Sequence, residues 1–184
     1  ALNKAGPEVV ALLLAKGAST DGIDLSTTEA GDDQPLLAAA KAKAALVDSK
    51  FWKANEGNKD GQLPAKVQEL LDKGADVHAV GKYKRTALHW AAENQAGPEV
   101  VALLLEKGAD VHAVGGKYKS TALHLAASTG SLVVVKLLIE QLNAQHSPID
   151  RWGGTPLDDA ERHYHTEVAE FLSSFGGIHG PGSH

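Results

Sequence analysis

The sequence predicts an all-α solenoid of stacked helix pairs joined by extended fingers. Three observations carry this reading. The stretch Gly6-Pro7-Glu8-Val9-Val10-Ala11-Leu12-Leu13-Leu14-Ala15-Lys16-Gly17-Ala18 returns at Gly97 to Ala109 with one difference, Glu106 for Ala15, and a looser copy runs from Leu63-Pro64 to Gly74-Ala75. A second motif, Thr86-Ala87-Leu88-His89-Trp90-Ala91-Ala92, returns as Thr121-Ala122-Leu123-His124-Leu125-Ala126-Ala127. The spacing is regular, with Pro64 and Pro98 34 positions apart and Thr86 and Thr121 35 apart. Repetition at this period marks units that cannot bury a hydrophobic face alone and must stack.

Within one unit each element has a local cause. Thr86 and Thr121 suit the N-cap of a short first helix, because a Thr hydroxyl can accept from the free N–H groups of the first turn. The Ala-rich helix that follows can approach a neighbour closely. A break at Asn94 to Gly97 precedes Pro98, which fits the first position of a second helix because it has no N–H to satisfy. On that helix Val101, Leu104 and Leu105 follow i, i+3, i+4 spacing and form one apolar stripe. Gly108 ends it, as expected of a residue in the left-handed C′ conformation. Ala109-Asp110-Val111-His112-Ala113-Val114 then leads through a Gly-rich turn to the next Thr.

This pattern resembles the ankyrin repeat, with its period of about 33 residues and its Thr-Pro-Leu-His-x-Ala signature. The resemblance implies an array of about four to five units with β-hairpin fingers, and a partner held on the concave side made by finger tips and first helices. A tetratricopeptide array shares the period but lacks the finger and the Thr-x-Leu-His start.

The units run as follows. Residues 1–18 supply only the second helix of a partial first unit; Ala1 aligns with Ala92, so the chain is expected to begin inside a longer array. Residues 19–48 break the period: Ser19 to Gln34 reads as an irregular acidic loop, and Leu36 to Val47 as a helix, either inserted or left over from a degenerate repeat. Repeats then occupy about 49–85, 86–120, 121–154 and 155–175. The first of these has Phe51-Trp52-Lys53-Ala54 where the signature should stand. The last starts at Thr155-Pro156-Leu157-Asp158-Asp159-Ala160, and Glu167, Glu170, Ser173 and Ser174 give its second helix the polar face of a terminal cap. Residues 176–184 read as a flexible Gly/Pro tail. The segment Asp150 to Ala160 is also similar to the last ankyrin unit of animal-type glutaminases and some plant potassium channels, where the array is an accessory to a larger machine. No catalytic or pore residues of those proteins have counterparts here.

Composition narrows the function. The chain has 184 residues, 43% of them hydrophobic, and a net charge of -5, which disfavours general nucleic-acid binding. The absence of cysteine excludes a disulfide framework, thiol catalysis and thiolate metal sites. It leaves the redox compartment undecided and only mildly favours the cell interior, so an intracellular, cytoplasmic location is the expectation. Apolar runs such as Leu132 to Val135 and Leu137 to Ile139 are far too short to span a bilayer. Acidic pairs such as Asp32-Asp33 and Asp158-Asp159 have no partnered base or nucleophile, no phosphate-binding loop is present, and the histidines lack metalloprotease spacing. His163 and His165, two apart, are expected on different faces of a helix. The sequence therefore calls for no enzyme activity and no cofactor. A monomer is expected, unless the exposed edge of the first unit stacks.

Two features mark a surface for a protein or peptide partner. The residue between His and Ala of the signature is Lys53, Trp90, Leu125 and Asp159 in successive units, and Trp90 is a hot-spot candidate if exposed in the groove, the alternative being that it packs on the next finger. The finger tips read Gly81-Lys82-Tyr83-Lys84-Arg85 and Gly115-Gly116-Lys117-Tyr118-Lys119, a basic–aromatic pattern that suits an acidic peptide. The acidic loop from Asp21 to Asp33 is a candidate internal competitor for the same fingers. His89 and His124 are expected to bond the neighbouring finger's backbone. His78 and His112 stand in Asp-Val-His, at the end of the finger's first strand. Ankyrin repeats usually carry Asn there, a position open to an oxygen-dependent asparaginyl hydroxylase. The resemblance makes both histidines candidate hydroxylation sites.

Overall fold

The computed structural model describes residues 44–58, 61–142 and 147–181. The partial first unit, the acidic loop and most of the helix expected over Leu36 to Val47 lie outside the described residues, as does His184. Among the described residues the α-helices are α1 (Ser49–Ala54), α2 (Leu63–Asp72), α3 (Ala87–Glu93), α4 (Pro98–Glu106), α5 (Ala122–Ser128), α6 (Leu132–Leu142), α7 (Pro156–Arg162) and α8 (Thr166–Ser174). The short helices α1, α3, α5 and α7 pack on one another in series, and α2, α4, α6 and α8 form a second series behind them. From α3 onward each short helix also packs against the helix that follows it. The result is two helical layers with one continuous core.

Small residues explain the close approach of the first layer. Ala87, Leu88, Ala91 and Ala92 on α3, and Ala122, Leu123, Ala126 and Ala127 on α5, are all buried. The second layer contributes Val100, Val101 and Leu104 from α4, Val134, Val135 and Leu138 from α6, and Val168 and Leu172 from α8. The expected α4 stripe is thus shifted by one position, since Val100 is fully buried while Leu105 is only partly so. Pro98 opens α4, and Gly108 closes it at φ 90°, with Ala109 N–H bonded to Leu104 O and Gly108 N–H to Leu105 O. That pair of bonds satisfies carbonyls the helix end would otherwise leave free.

The signature histidines tie the units together. Thr86 N–H donates to His89 Nδ1 at 3.3 Å, and the Thr86 hydroxyl lies 2.8 Å from the same nitrogen. With Nδ1 the acceptor, Nε2 carries the proton, and it lies 3.0 Å from Ser120 O in the next finger. His124 repeats this between Thr121 and Gly154 O, at 3.2 Å from Nε2. Both rings are neutral, because burial lowers their pKa by more than the accepting carbonyl raises it. In the unit before, Trp52 takes the histidine's place and donates its Nε1–H backward to Leu46 O at 2.9 Å.

The fingers differ from the expected β-hairpins. Among the described residues the strand pairing is a single bridge, Gly115 to Ser120. Each finger is instead a short loop whose ends share one backbone–backbone bond: Gly81 N–H to Arg85 O, Gly115 N–H to Ser120 O, Asp150 N–H to Gly154 O. Asp-Val-His does not end a strand either. The Asp76 and Asp110 carboxylates accept from the N–H of His78 and His112, both at 2.9 Å, and turn the chain before a ladder can form.

The end of the array brings two more corrections. His163 and His165 flank the turn between α7 and α8 rather than sharing a helix, and their rings stack with centroids 6.4 Å apart. His163 Nδ1–H donates to Asp159 O and His165 Nε2–H to Ser128 O. The segment expected to be a flexible tail is docked on the last unit as far as residue 181 is described. Asp158 stands where His89 and His124 stand, but a carboxylate cannot donate. It accepts instead, from Gly180 N–H at 2.9 Å and from His179 Nδ1 at 2.7 Å, so the tail supplies the contact a following finger would make. Burial raises the Asp158 pKa, but the bonds from Gly180, Thr155 and His179 outweigh it and the net shift is downward. A side chain at Gly180 would collide with the Gly153 carbonyl.

Candidate partner-binding surface

The three described fingers share one construction. Aromatic residues stand three positions before the capping Thr in every unit: Tyr83 before Thr86, Tyr118 before Thr121, Trp152 before Thr155. A basic residue precedes each: Lys82, Lys117 and Arg151. The basic group rides over its own aromatic neighbour, Lys82 Nζ at 5.1 Å, Lys117 Nζ at 5.8 Å and the Arg151 guanidinium at 5.9 Å from the ring centre. These are cation–π distances, favourable by about 0.5–1 kcal/mol at exposed sites.

The fingers are held in register by backbone bonds. Gly116 N–H donates to Tyr83 O at 2.8 Å, and Arg151 N–H to Tyr118 O at 2.7 Å. Tyr83 and Tyr118 are therefore each pinned by the finger after them, and all three rings stay in water. Tyr83 is 63% exposed, Tyr118 49% and Trp152 66%. Lys84 and Lys119 complete the tips and are exposed as well. Tyr83, Lys84 and Lys119 adopt positive φ, at 62°, 59° and 56°. Non-glycine residues there cost about 1–2 kcal/mol each, and such strain is retained where the side chain is needed. The third pair, Arg151 and Trp152, is not visible in the Tyr/Lys pattern of the first two tips. The common offset from the capping Thr reveals it.

Other expected site residues are otherwise engaged. Trp90 is not an exposed anchor: it is 8% exposed beneath the Arg85 guanidinium, 4.6 Å from its ring. Arg85 itself is paired with Glu93, which takes it off the free tip. The Trp90 indole N–H is buried without a hydrogen-bond partner among the described residues. Leu125 is half-buried against the core, and Asp159 is buried and bonded to Arg162 at 2.7 Å. Burial raises the Asp159 pKa, against the opposing pull of His124 and Arg162. Lys53 is exposed on α1, and His78 and His112 are exposed on their turns.

Among the described residues no group of His, Asp or Glu could hold a metal ion, and no helix is long and apolar enough to cross a membrane. A family model described as ankyrin repeats (3 copies) matches residues 51–115 and 112–179. No curated protein matches the chain. Paired helices in two layers, threonine caps closed by histidine and the matched residues agree, and the chain belongs to the ankyrin repeat family.

Proposed function

We propose that this chain is a protein-interaction module that holds an acidic peptide or protein segment on the surface formed by its finger tips and first helices. Ankyrin repeats generally mediate protein–protein interaction, and the tips say what kind of partner suits this array. One observation carries the reading: Lys82, Tyr83, Lys84, Lys117, Tyr118 and Lys119 are exposed together on neighbouring fingers. Positive charge steers an acidic partner toward the surface, while the rings supply contact area that is cheap to order. Lys53 extends the positive surface along the first helices. Trp90 and Arg85 support it from beneath rather than contacting the partner first.

The test is a titration of a labelled acidic peptide at about 50 and 300 mM salt, read by fluorescence anisotropy. Binding should weaken at high salt, where the Debye length shrinks. Replacing Lys82, Lys84, Lys117 and Lys119 by Ala should abolish it, while Lys107→Ala, at the end of α4, should not. Binding that ignores both salt and the four lysines would dismiss the reading.

A further inference from the structure

We infer that the finger tips form a three-rung ladder, Lys82/Tyr83, Lys117/Tyr118 and Arg151/Trp152, whose ligand is an acidic polyproline II peptide with a carboxylate at every third residue. The inference rests on the proposed acidic-partner reading and specifies the ligand's conformation and periodicity.

Rung spacing comes first. The short helices α3, α5 and α7 pack in series, and packed helices lie about 8–10 Å apart. Each finger leads into one of these helices and is bonded to the next finger, Gly116 N–H to Tyr83 O and Arg151 N–H to Tyr118 O, so the array places one rung per repeat. An extended β-strand does not match, since every third residue faces the opposite side. An α-helix brings residues three, four and seven apart to one face, at about 4.5, 6 and 10.5 Å along its axis, and none of these falls between 8 and 10 Å. A polyproline II helix has three residues per turn and about 3.1 Å per residue, so identical positions recur on one face every ~9.3 Å. That period falls within the ~8–10 Å at which packed helices, and with them successive repeats, are set.

Chemistry agrees with geometry. Each rung offers an exposed ring for a proline face and a cation for a carboxylate, and pre-formed polyproline II segments dock on aromatic-lined surfaces at low ordering cost. The tip loops 82–84, 116–119 and 151–153 carry five basic residues, Lys82, Lys84, Lys117, Lys119 and Arg151, and no acidic one. The ladder also continues past the Tyr/Lys tips to a chemically distinct rung, where Trp152 and Arg151 can be changed without touching the other two.

The experiment compares three fluorescein-labelled 12-residue peptides on the full chain at about 50 mM salt: four Glu-Pro-Pro units, the same composition with the four Glu contiguous, and a helix-forming Ala-based peptide with Glu seven apart. Trp152 is the exposed tryptophan, Trp52 and Trp90 being buried, so the part of a binding-induced change in intrinsic fluorescence that Trp152→Ala removes reports the third rung. The periodic peptide should bind at least tenfold tighter than the contiguous one and change Trp152 emission. Trp152→Ala and Arg151→Ala should each weaken the periodic peptide about tenfold while leaving the contiguous one within about twofold. Equal binding of the first two peptides, tightest binding of the helical one, or indifference to Trp152→Ala would overturn the ladder. Provided binding still depends on the Tyr83 and Tyr118 tip lysines, the acidic-partner reading would survive that result. Failure of all three peptides to bind would remove both.

Discussion

Replacing His89 by Gln isolates the energetics of the inter-repeat histidine bond. Gln at the third helical position can still close a capping box with Thr86, so the helix start is preserved. What is lost is the Nε2–H bond to Ser120 O. That carbonyl keeps a second donor, Gly115 N–H at 2.9 Å, so it is not orphaned and the cost is that of one ordinary buried bond, about 0.5–1.5 kcal/mol. The pH dependence gives a sharper test. Burial holds the folded-state His89 pKa below its ordinary 6.5, against the carbonyl of Ser120 and the charges of Glu93 and Asp110, with Arg85 assisting. As pH falls below about 6.5, the unfolded chain takes up a proton that the folded ring refuses. Stability contributed by neutral His89 is therefore complete above that pH and declines below it, by up to about 1.4 kcal/mol per pH unit, until the folded pKa is reached. Glutamine does not titrate. In urea unfolding followed by circular dichroism between pH 8 and 5, the variant should be less stable than the wild type at pH 8. The gap should then narrow, or reverse, below pH 6.5. Contributions from His124, Asp159 and His179 are common to both proteins and cancel. A gap that is constant or widens with acid would refute the neutral, donating ring.

Four further outcomes are expected. Trp90→Phe removes a buried N–H that has no partner while keeping a ring beneath Arg85, so it should stay within about 1 kcal/mol of wild type in urea unfolding, against the 3–5 kcal/mol typical of a buried Trp→Ala truncation. Gly108→Ala places a side chain at φ 90° and should cost about 1 kcal/mol or more in the same assay, although nothing close crowds the site. Gly180→Ala should release the C-terminal segment, seen as faster protease cleavage after residue 176. His179 behaves oppositely to His89: its bond to Asp158 raises its pKa, so its contribution is complete below 6.5 and lost as pH rises through the raised value. Docking of the tail should accordingly loosen on going from pH 6 to pH 9, and His179→Ala should remove that dependence.

Periodicity alone carried the helix pairs, because the same caps, apolar stripes and glycine stops recur and each acts within one turn of its own helix. The described copy of the duplicated Pro-to-Gly segment, Gly97 to Ala109, and the looser copy from Leu63 to Ala75 are second helices, and the threonine caps lie where the signature put them. Contacts between units were legible only where a residue type has one plausible partner, as with the donating ring of His89. The polar residues of the fingers were harder to read. Asp76 and Asp110 turn the backbone through their side chains, which removed the expected strands. Trp90 was misjudged because its exposure depends on where Arg85 points, and Arg85 points inward to Glu93.

The sequence by itself determined a repeating two-layer helical array, since local propensity, capping and hydrophobic spacing are written into every unit. Only the tertiary structure decided which side chains remain in water. Trp90 goes under a guanidinium, Trp152 joins Tyr83 and Tyr118 on the rim, and the C-terminal segment takes the place of a missing finger on Asp158. Each of these depends on groups 5 to 34 positions apart being brought together, and burial at such separations is a property of the stack rather than of any one repeat.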